Sequence, residues 1–291
     1  MRVGQPSRTA LGAARGRAVH QSADEPVIFH DPLAVPIAEA AAALSADDRE
    51  VPWEARLFLA MRHRFAEDEL AARAHDVRQV VVLGAGLDTF GVRNTYPNMT
   101  VFEVDHPETQ AWKRDRLTDA RITVPVSLRF VAVDFETDSL STRLRESGFD
   151  PAAPTFFLWL GVVQYLTAAA IDTTLGFIAE LPAPSQLIID YSEPISALPP
   201  DNRAMVEVLA GVMAAIGEPW LSLFTADEIA AKLTEFGFGD IEDLGWRDMI
   251  ARFAPDSTAT DQVGGHVLRA AHPGHHAVTG PAERTKDERH E

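Results

Sequence analysis

The chain reads as an α/β protein built on a doubly wound, mostly parallel sheet, and three observations predict this. Five short runs around Val80, Val101, Phe130, Phe156 and Leu187 are separated by helix-length intervals. Strands that alternate with helices join as parallel βαβ units. The first run, Val80-Val81-Val82-Leu83, has no polar alternation, the pattern of a strand covered on both faces. It ends in Gly84-Ala85-Gly86, and about 20 residues farther on Asp105 closes the next run, Val101, Phe102 and Val104.

The remaining elements follow in order. Residues 1–23 carry Arg2, Arg8, Arg15 and Arg17 without an acid, and are read either as a mobile arm or as a lid helix over the site. A transit peptide fits them less well. Residues 53–74 place Leu57, Met61, Phe65 and Leu70 near helical spacing. Further helices are expected over residues 107–120, 137–147 and 167–180. Residues 192–223, with Pro194, Pro199, Pro200 and Pro219 around one helix, interrupt the alternation and read as an inserted cap. Thr225 and Glu228 form a capping-box pair that opens a helix ending near Gly237. Residues 241–244 and 266–268 read as a closing antiparallel pair. From His272 onward the chain is polar; a disordered tail is expected, with His272, His275 and His276 solvated rather than bound to metal. The expected division is residues 1–75 as arm and lid helices, 76–191 as the ligand-binding core, 192–223 as the cap, 224–271 as the rest of the sheet, and 272–291 as the tail.

Composition narrows the function. With 43 acids against 26 Lys plus Arg, the net charge of −17 opposes a nucleic-acid backbone as main partner. The absence of Cys excludes disulfides, thiolate zinc sites and cysteine nucleophiles. No apolar run approaches the ~18 residues of a membrane span, and no apolar signal core opens the chain. A cytosolic enzyme without a metal site is expected, in an oligomeric state that the sequence leaves open.

The glycine turn selects the ligand. Gly84 and Gly86 lack a Cβ, so the chain turns tightly and a ligand approaches the backbone closely. An acid at the position of Asp105 accepts hydrogen bonds from ribose hydroxyls. The dinucleotide fingerprint GxGxxG requires a third glycine beside the pyrophosphate, and this chain has Thr89 there, preceded by Asp88. A cofactor with a ribose but no phosphate therefore fits better. S-adenosyl-L-methionine is favoured over a nicotinamide or flavin, and over a purely structural turn.

Ligands of such sheets bind beyond the carboxyl ends of the strands. Asp134 and Phe135 follow the third run, Phe130-Val131-Ala132-Val133. They are read either as an adenine contact, or with Asp134 capping a helix that starts near Thr137. The fourth run ends in Gly161-Val162-Val163-Gln164-Tyr165, where Tyr165 lines the site or packs beneath it.

These residues carry a family resemblance. LGAGLDT with FEVDHP and the following Trp112-Lys113, the upstream FHDPLA (residues 29–34), the Arg62/Arg64 pair before Phe65, and the late GGHVLRA closely resemble bacterial S-adenosylmethionine-dependent methyltransferases of the leucine carboxyl methyltransferase group. That group includes polyketide carboxyl O-methyltransferases. The resemblance spans roughly residues 7–271 and implies a class I methyltransferase fold, Rossmann-like, with a helical lid. It implies Gly84, Ala85 and Gly86 beside the cofactor's amino-acid moiety, Asp105 with adjoining His106 at the ribose, and Asp134 with Phe135 at the adenine. Arg62 would hold the methionine carboxylate, with Arg64 as the alternative; read without the family, both are a solvated helix face. The chain departs from the group at the end of the fourth strand, where Leu160 stands in place of a Glu and cannot accept from the methionine ammonium.

Methyl transfer by in-line displacement needs alignment and exclusion of water more than it needs a base. A carboxylate acceptor is already ionised, whereas a hydroxyl requires a base, and no histidine stands out for that task. The expected activity is therefore O-methylation of a small molecule, on a carboxylate or a hydroxyl. The alternatives are a silent S-adenosylmethionine-binding protein and, less well supported, a nicotinamide oxidoreductase. Arg17 and Arg203 are candidates for holding an anionic acceptor, although surface roles suit both. Tyr191, with Trp220, flanks the insertion as an aromatic wall or as core.

Overall fold

The computed structural model describes residues 7–42, 51–257 and 265–274. Residues 1–6 of the basic stretch and 275–291 of the expected tail, with His275 and His276, lie outside the described residues. Strands β1 (Gln79–Leu83), β2 (Thr100–Asp105), β3 (Leu128–Ala132), β4 (Thr155–Trp159) and β5 (Ser185–Ser192) are parallel. Strands β6 (Gly239–Leu244) and β7 (Gly265–His272) complete one sheet in the order β3-β2-β1-β4-β5-β7-β6. β7 runs antiparallel to both of its neighbours.

Burial explains why the strands read as they do. β1 and β4 lie mid-sheet with every residue buried, so beyond the opening Gln79 and Thr155 their sequences are continuously apolar. Edge strand β6 has no buried residue and reads GDIEDL. One face is covered by α3 (Trp53–Arg73), α4 (Phe90–Arg93), α5 (Pro107–Asp119) and α10 (Trp246–Phe253), where Phe65, Leu70, Phe90 and Met249 pack on Val80, Val101 and Phe156. The other is covered by α6 (Leu140–Glu146), α7 (Ala168–Ala179) and α9 (Ala226–Glu235), where Leu144, Leu175 and Leu233 pack near Phe157 and Leu187. A third cluster joins α1 (Arg8–Ala23), α2 (Ala34–Ala42) and α5 through Leu11, Ile37 and Leu117. The insertion contributes α8 (Pro200–Ala215), with Pro at its first turn where a missing N–H costs nothing.

The structure corrects several local expectations. The interval after Gly86 holds only the single turn of α4. Ser139, not Asp134, caps α6, its Oγ accepting the Thr142 N–H at 3.3 Å; Asp134 instead folds its own turn, accepting the Glu136 N–H at 3.0 Å. A short polar side chain bonds the backbone two residues on more readily than it reaches a helix six residues away. Residues 8–23 are no mobile arm: Leu11, Ala14, Arg17 and His20 are buried along one helix. β7 continues through His272, whose buried ring meets Phe238 edge-on with centroids 5.3 Å apart, so this residue belongs to the sheet rather than to a solvated tail. Among the described residues no helix is long and apolar enough to cross a membrane. The capping box at Thr225 and Glu228 forms as expected, with the Thr225 N–H on Glu228 Oε2 at 2.8 Å.

Candidate functional site

Strand order reverses between β1 and β4, and in such sheets the crevice outside the carboxyl ends at that point receives the ligand. Gly84 stands there directly beyond β1, and Gly161 follows Leu160 beyond β4. Gly84 turns with φ 67° and its N–H bonds the Val104 carbonyl at 2.8 Å, as the Ala85 N–H does at 3.0 Å. The turn is thereby tied to the end of β2, next to Asp105. One Asp105 oxygen accepts the Gly86 N–H at 2.5 Å and the other the His106 N–H at 2.7 Å. Burial pushes this carboxyl up, opposed by those two donors. His106 in turn caps α5, its Nδ1 accepting the Glu108 N–H at 3.3 Å.

Arg62 reaches the same place from α3. It is buried, and its guanidinium lies on Gly161, where a Cβ would stand 2.9 Å from Nη2. Gly161 also holds φ 74°, so no other residue fits there without strain. Arg62 Nη1 bonds Asp190 Oδ2 at 2.5 Å, while Asp190 Oδ1 accepts the Gly161 N–H at 2.5 Å. Its Nε is buried and has no partner among the described residues. Arg64, the alternative, points outward and pairs with Asp68 at 2.7 Å. Phe58 backs the Arg62 guanidinium, 5.7 Å from ring centroid to Cζ.

The residues after Gly86 form a buried ionic lock that sequence reasoning did not find. His63 presents Nδ1 to the Leu59 carbonyl at 2.7 Å and Nε2 to Asp88 Oδ2 at 3.1 Å, so both ring nitrogens face acceptors. Burial alone would raise the Asp88 carboxyl, but His63, Arg17 and Lys113 hold it far below the usual carboxylate range. Thr89, at the place of the missing third glycine, donates to Asp31 at 2.7 Å. Arg17 and Arg93 pair with the same Asp31 at 3.5 and 3.2 Å, and Arg17 also bonds the Leu87 carbonyl at 2.6 Å. Arg17 is therefore neither a surface group nor an acceptor clamp. It fastens α1 over the turn, where Ala10 lies 3.0 Å from the point a Gly86 Cβ would occupy. The signal was present in FHDPLA, whose Asp31 is the hub.

The first turn of α1 meets the inserted segment. Glu218 accepts the N–H groups of Arg8 at 2.8 Å and Thr9 at 3.0 Å. Tyr165 lies close by, among Trp220, Gln164 and Thr9, and burial pushes its phenol up. Tyr165 thus lies where the start of α1 meets residues 218–220. Arg203 is exposed and bonds the Leu198 carbonyl at 2.8 Å, a contact within its own turn.

Asp134 and Phe135 follow β3 beside Asp105, since the Val133 N–H bonds the Asp105 carbonyl at 2.8 Å. Phe135 packs partly buried on the α7 side of the sheet. Tyr191 is core, 2% exposed, and donates to Asp243 at 2.5 Å. Its ring stacks on His266 with centroids 4.8 Å apart, and His266 Nδ1 lies 3.1 Å from the other Asp243 oxygen. Burial alone would lower His266, but Asp243 and Glu193 raise it. His266 escaped the sequence reading because the expected pairing of residues 241–244 with 266–268 does not by itself say which side chains meet across it. Leu160 is half-buried against the α3 side.

The donor set suits an adenosylated amino acid: a glycine turn that a Cβ would fill, an acid at the end of β2, and a buried guanidinium with an unpartnered Nε. The family model described as leucine carboxyl methyltransferase matches residues 10–179. YktD of Bacillus subtilis, named for S-adenosyl-L-methionine-dependent methyl transfer, is 32% identical over 282 residues, covering 86% of this chain and 91% of its own. A Mycolicibacterium gilvum protein of the same description is 37% identical over 206 residues, 64% of this chain and 66% of that one. Among solved structures, a Thermobifida fusca protein titled a methyltransferase superposes with TM-score 0.58 at 16% identity, covering 94% of this chain and 97% of that one. A Streptomyces avermitilis protein gives TM-score 0.56 at 16% identity over 92% and 98%.

Proposed function

Because this chain belongs to the leucine carboxyl methyltransferase family and is an S-adenosyl-L-methionine-dependent methyltransferase of the class I fold, we propose that it methylates an oxygen of a small-molecule acceptor, a carboxylate such as that of a polyketide, in the cytosol. The observation that carries the reading is the placing of three features at the carboxyl ends of neighbouring strands: the Gly84–Gly86 turn after β1, Asp105 at the end of β2, and the buried Arg62 on Gly161 after β4. In this reading Asp105 receives the ribose hydroxyls, Asp134 and Phe135 the adenine, and Arg62 the methionine carboxylate. The bound cofactor supplies an activated methyl on a sulfonium. The chain's own part is positional: α1 and the segment around Glu218 cover the site and exclude water, which raises the reactivity of an anionic acceptor.

A hydroxyl acceptor has one observation in its favour. His266 is oriented through Nδ1 by Asp243, with Nε2 3.9 Å from Glu193 Oε1, so the imidazole that would take the acceptor's proton lies between two carboxylates that raise its basicity. Transfer of labelled methyl to a panel of carboxylates and phenols, followed by mild base, separates the two. Methyl esters release methanol under base and methyl ethers do not. Release of label as methanol supports the carboxylate reading, and a base-stable product overturns it. Calorimetric titration with S-adenosylhomocysteine and NAD(H) tests the cofactor half, which binding of NAD(H) alone would sink.

A further inference from the structure

The acid missing at the end of β4 stands one strand away. β4 and β5 pair Leu158 with Ile188 and Trp159 with Ile189, so the next step of the register sets Leu160 beside Asp190. Leu160 packs with the cluster on the α3 side, the side from which Arg62 enters to meet Asp190. A carboxylate on either strand would thus serve the same volume. The Asp190 side chain is 3% exposed and that of Arg62 8%, so the pair bears the desolvation cost of two buried charges. Only Nη1 of Arg62 meets Asp190, and Nε is left without a partner among the described residues. A buried guanidinium with an open N–H is an incomplete structural bond and a ready carboxylate receptor. Each Asp190 oxygen has one partner and keeps a second lone pair.

We infer that Asp190 replaces the absent Glu and, with Arg62, forms a fixed ion pair complementary to the zwitterionic amino-acid end of S-adenosylmethionine. Asp190 takes the ammonium and Arg62 the carboxylate. The inference rests on the cofactor pose proposed above. Gly161 belongs to the same device: its N–H fixes Asp190, and its missing side chain makes room for Arg62.

Calorimetric titration of the parent, Asp190→Asn and Leu160→Glu/Asp190→Asn with two ligands tests this. The ligands are S-adenosylhomocysteine and 5′-methylthioadenosine, which has the nucleoside and sulfur but no amino acid. Asp190→Asn should bind S-adenosylhomocysteine about 10- to 100-fold more weakly, the worth of a charge-assisted hydrogen bond, with methylthioadenosine unchanged. Leu160→Glu added to it should recover at least a large part of the loss, and also supplies Arg62 with a carboxylate if the single variant folds poorly. Unchanged S-adenosylhomocysteine affinity, an equal loss of both ligands, or no recovery in the double variant would overturn the assignment. A parent that binds neither ligand overturns the cofactor pose as well, which keeps the two failures distinct.

Discussion

A Cβ on Gly84 would fall inside the van der Waals envelope of Val162. The glycine thus accommodates the protein's own chain, because Val162 follows Gly161 across the switch point. Gly84→Ala adds strain at φ 67° of about 1–3 kcal/mol to that clash. Denaturant unfolding should show the loss, and Gly84→Ala/Val162→Ala should regain the part due to the clash but not the part due to φ. A Gly84→Ala protein as stable as the parent would refute the tight contact.

Glu218 acts as an N-terminal cap for α1 supplied from a distant segment, and it favours the positive end of the helix dipole. Glu218→Ala should cost about 1 kcal/mol and speed amide exchange across residues 8–23, with Glu218→Gln intermediate. Exchange unchanged in α1 would show that the cover is held elsewhere.

Glu103 and Lys113 form a buried pair at 2.5 Å, each side chain no more than 2% exposed. Burial pushes Glu103 up to about 7 despite Lys113. A carboxyl whose folded value lies above its unfolded one binds a proton on folding, so its contribution falls as pH rises between the unfolded value, about 4.5, and about 7. Lys113→Met removes the partner and should destabilise by about 3–5 kcal/mol at around pH 8, and by distinctly less near pH 5, where Glu103 is protonated. A loss independent of pH would contradict the assignment.

His266 has the same sign of pH dependence from the opposite cause, charge rather than burial. Burial lowers it, but Asp243 and Glu193 raise it further, so its folded value lies above the ordinary one of about 6.5. Its stabilising contribution is complete below that pH and is lost as pH rises through the folded value. The imidazole proton resonance should titrate above the ordinary histidine range, and Asp243→Asn should bring it down. A resonance that titrates at the ordinary value in the parent would show that the Asp243 bond is weak in solution.

Local patterns were legible because they report burial directly. Val80 to Leu83 had to be apolar throughout to lie mid-sheet, and Thr225 and Glu228 had to be that pair to cap α9. The Gly84-Ala85-Gly86 turn and Asp105 were legible for the same reason: a backbone constraint and a strand end sit within one βαβ unit, where spacing in sequence is spacing in space. Asp190 was within reach, since Leu187-Ile188-Ile189-Asp190 repeats the apolar run ending in an acid that marked Asp105, yet nothing in the order of residues said which helix would face it.

The chain's sequence by itself determined the parallel sheet, the glycine turn and the choice of S-adenosylmethionine over a dinucleotide. The last of these rests on Thr89 and Asp88, which stand where a dinucleotide fingerprint has its third glycine and the residue before it. Tertiary structure alone decided that Thr89 and Arg17 share Asp31, that Glu218 closes on α1, and that Asp190 rather than residue 160 faces Arg62. Those partners lie tens to hundreds of residues apart, and only the order of strands and the packing of helices brings such groups within the few ångströms over which a buried charge finds its counter-charge.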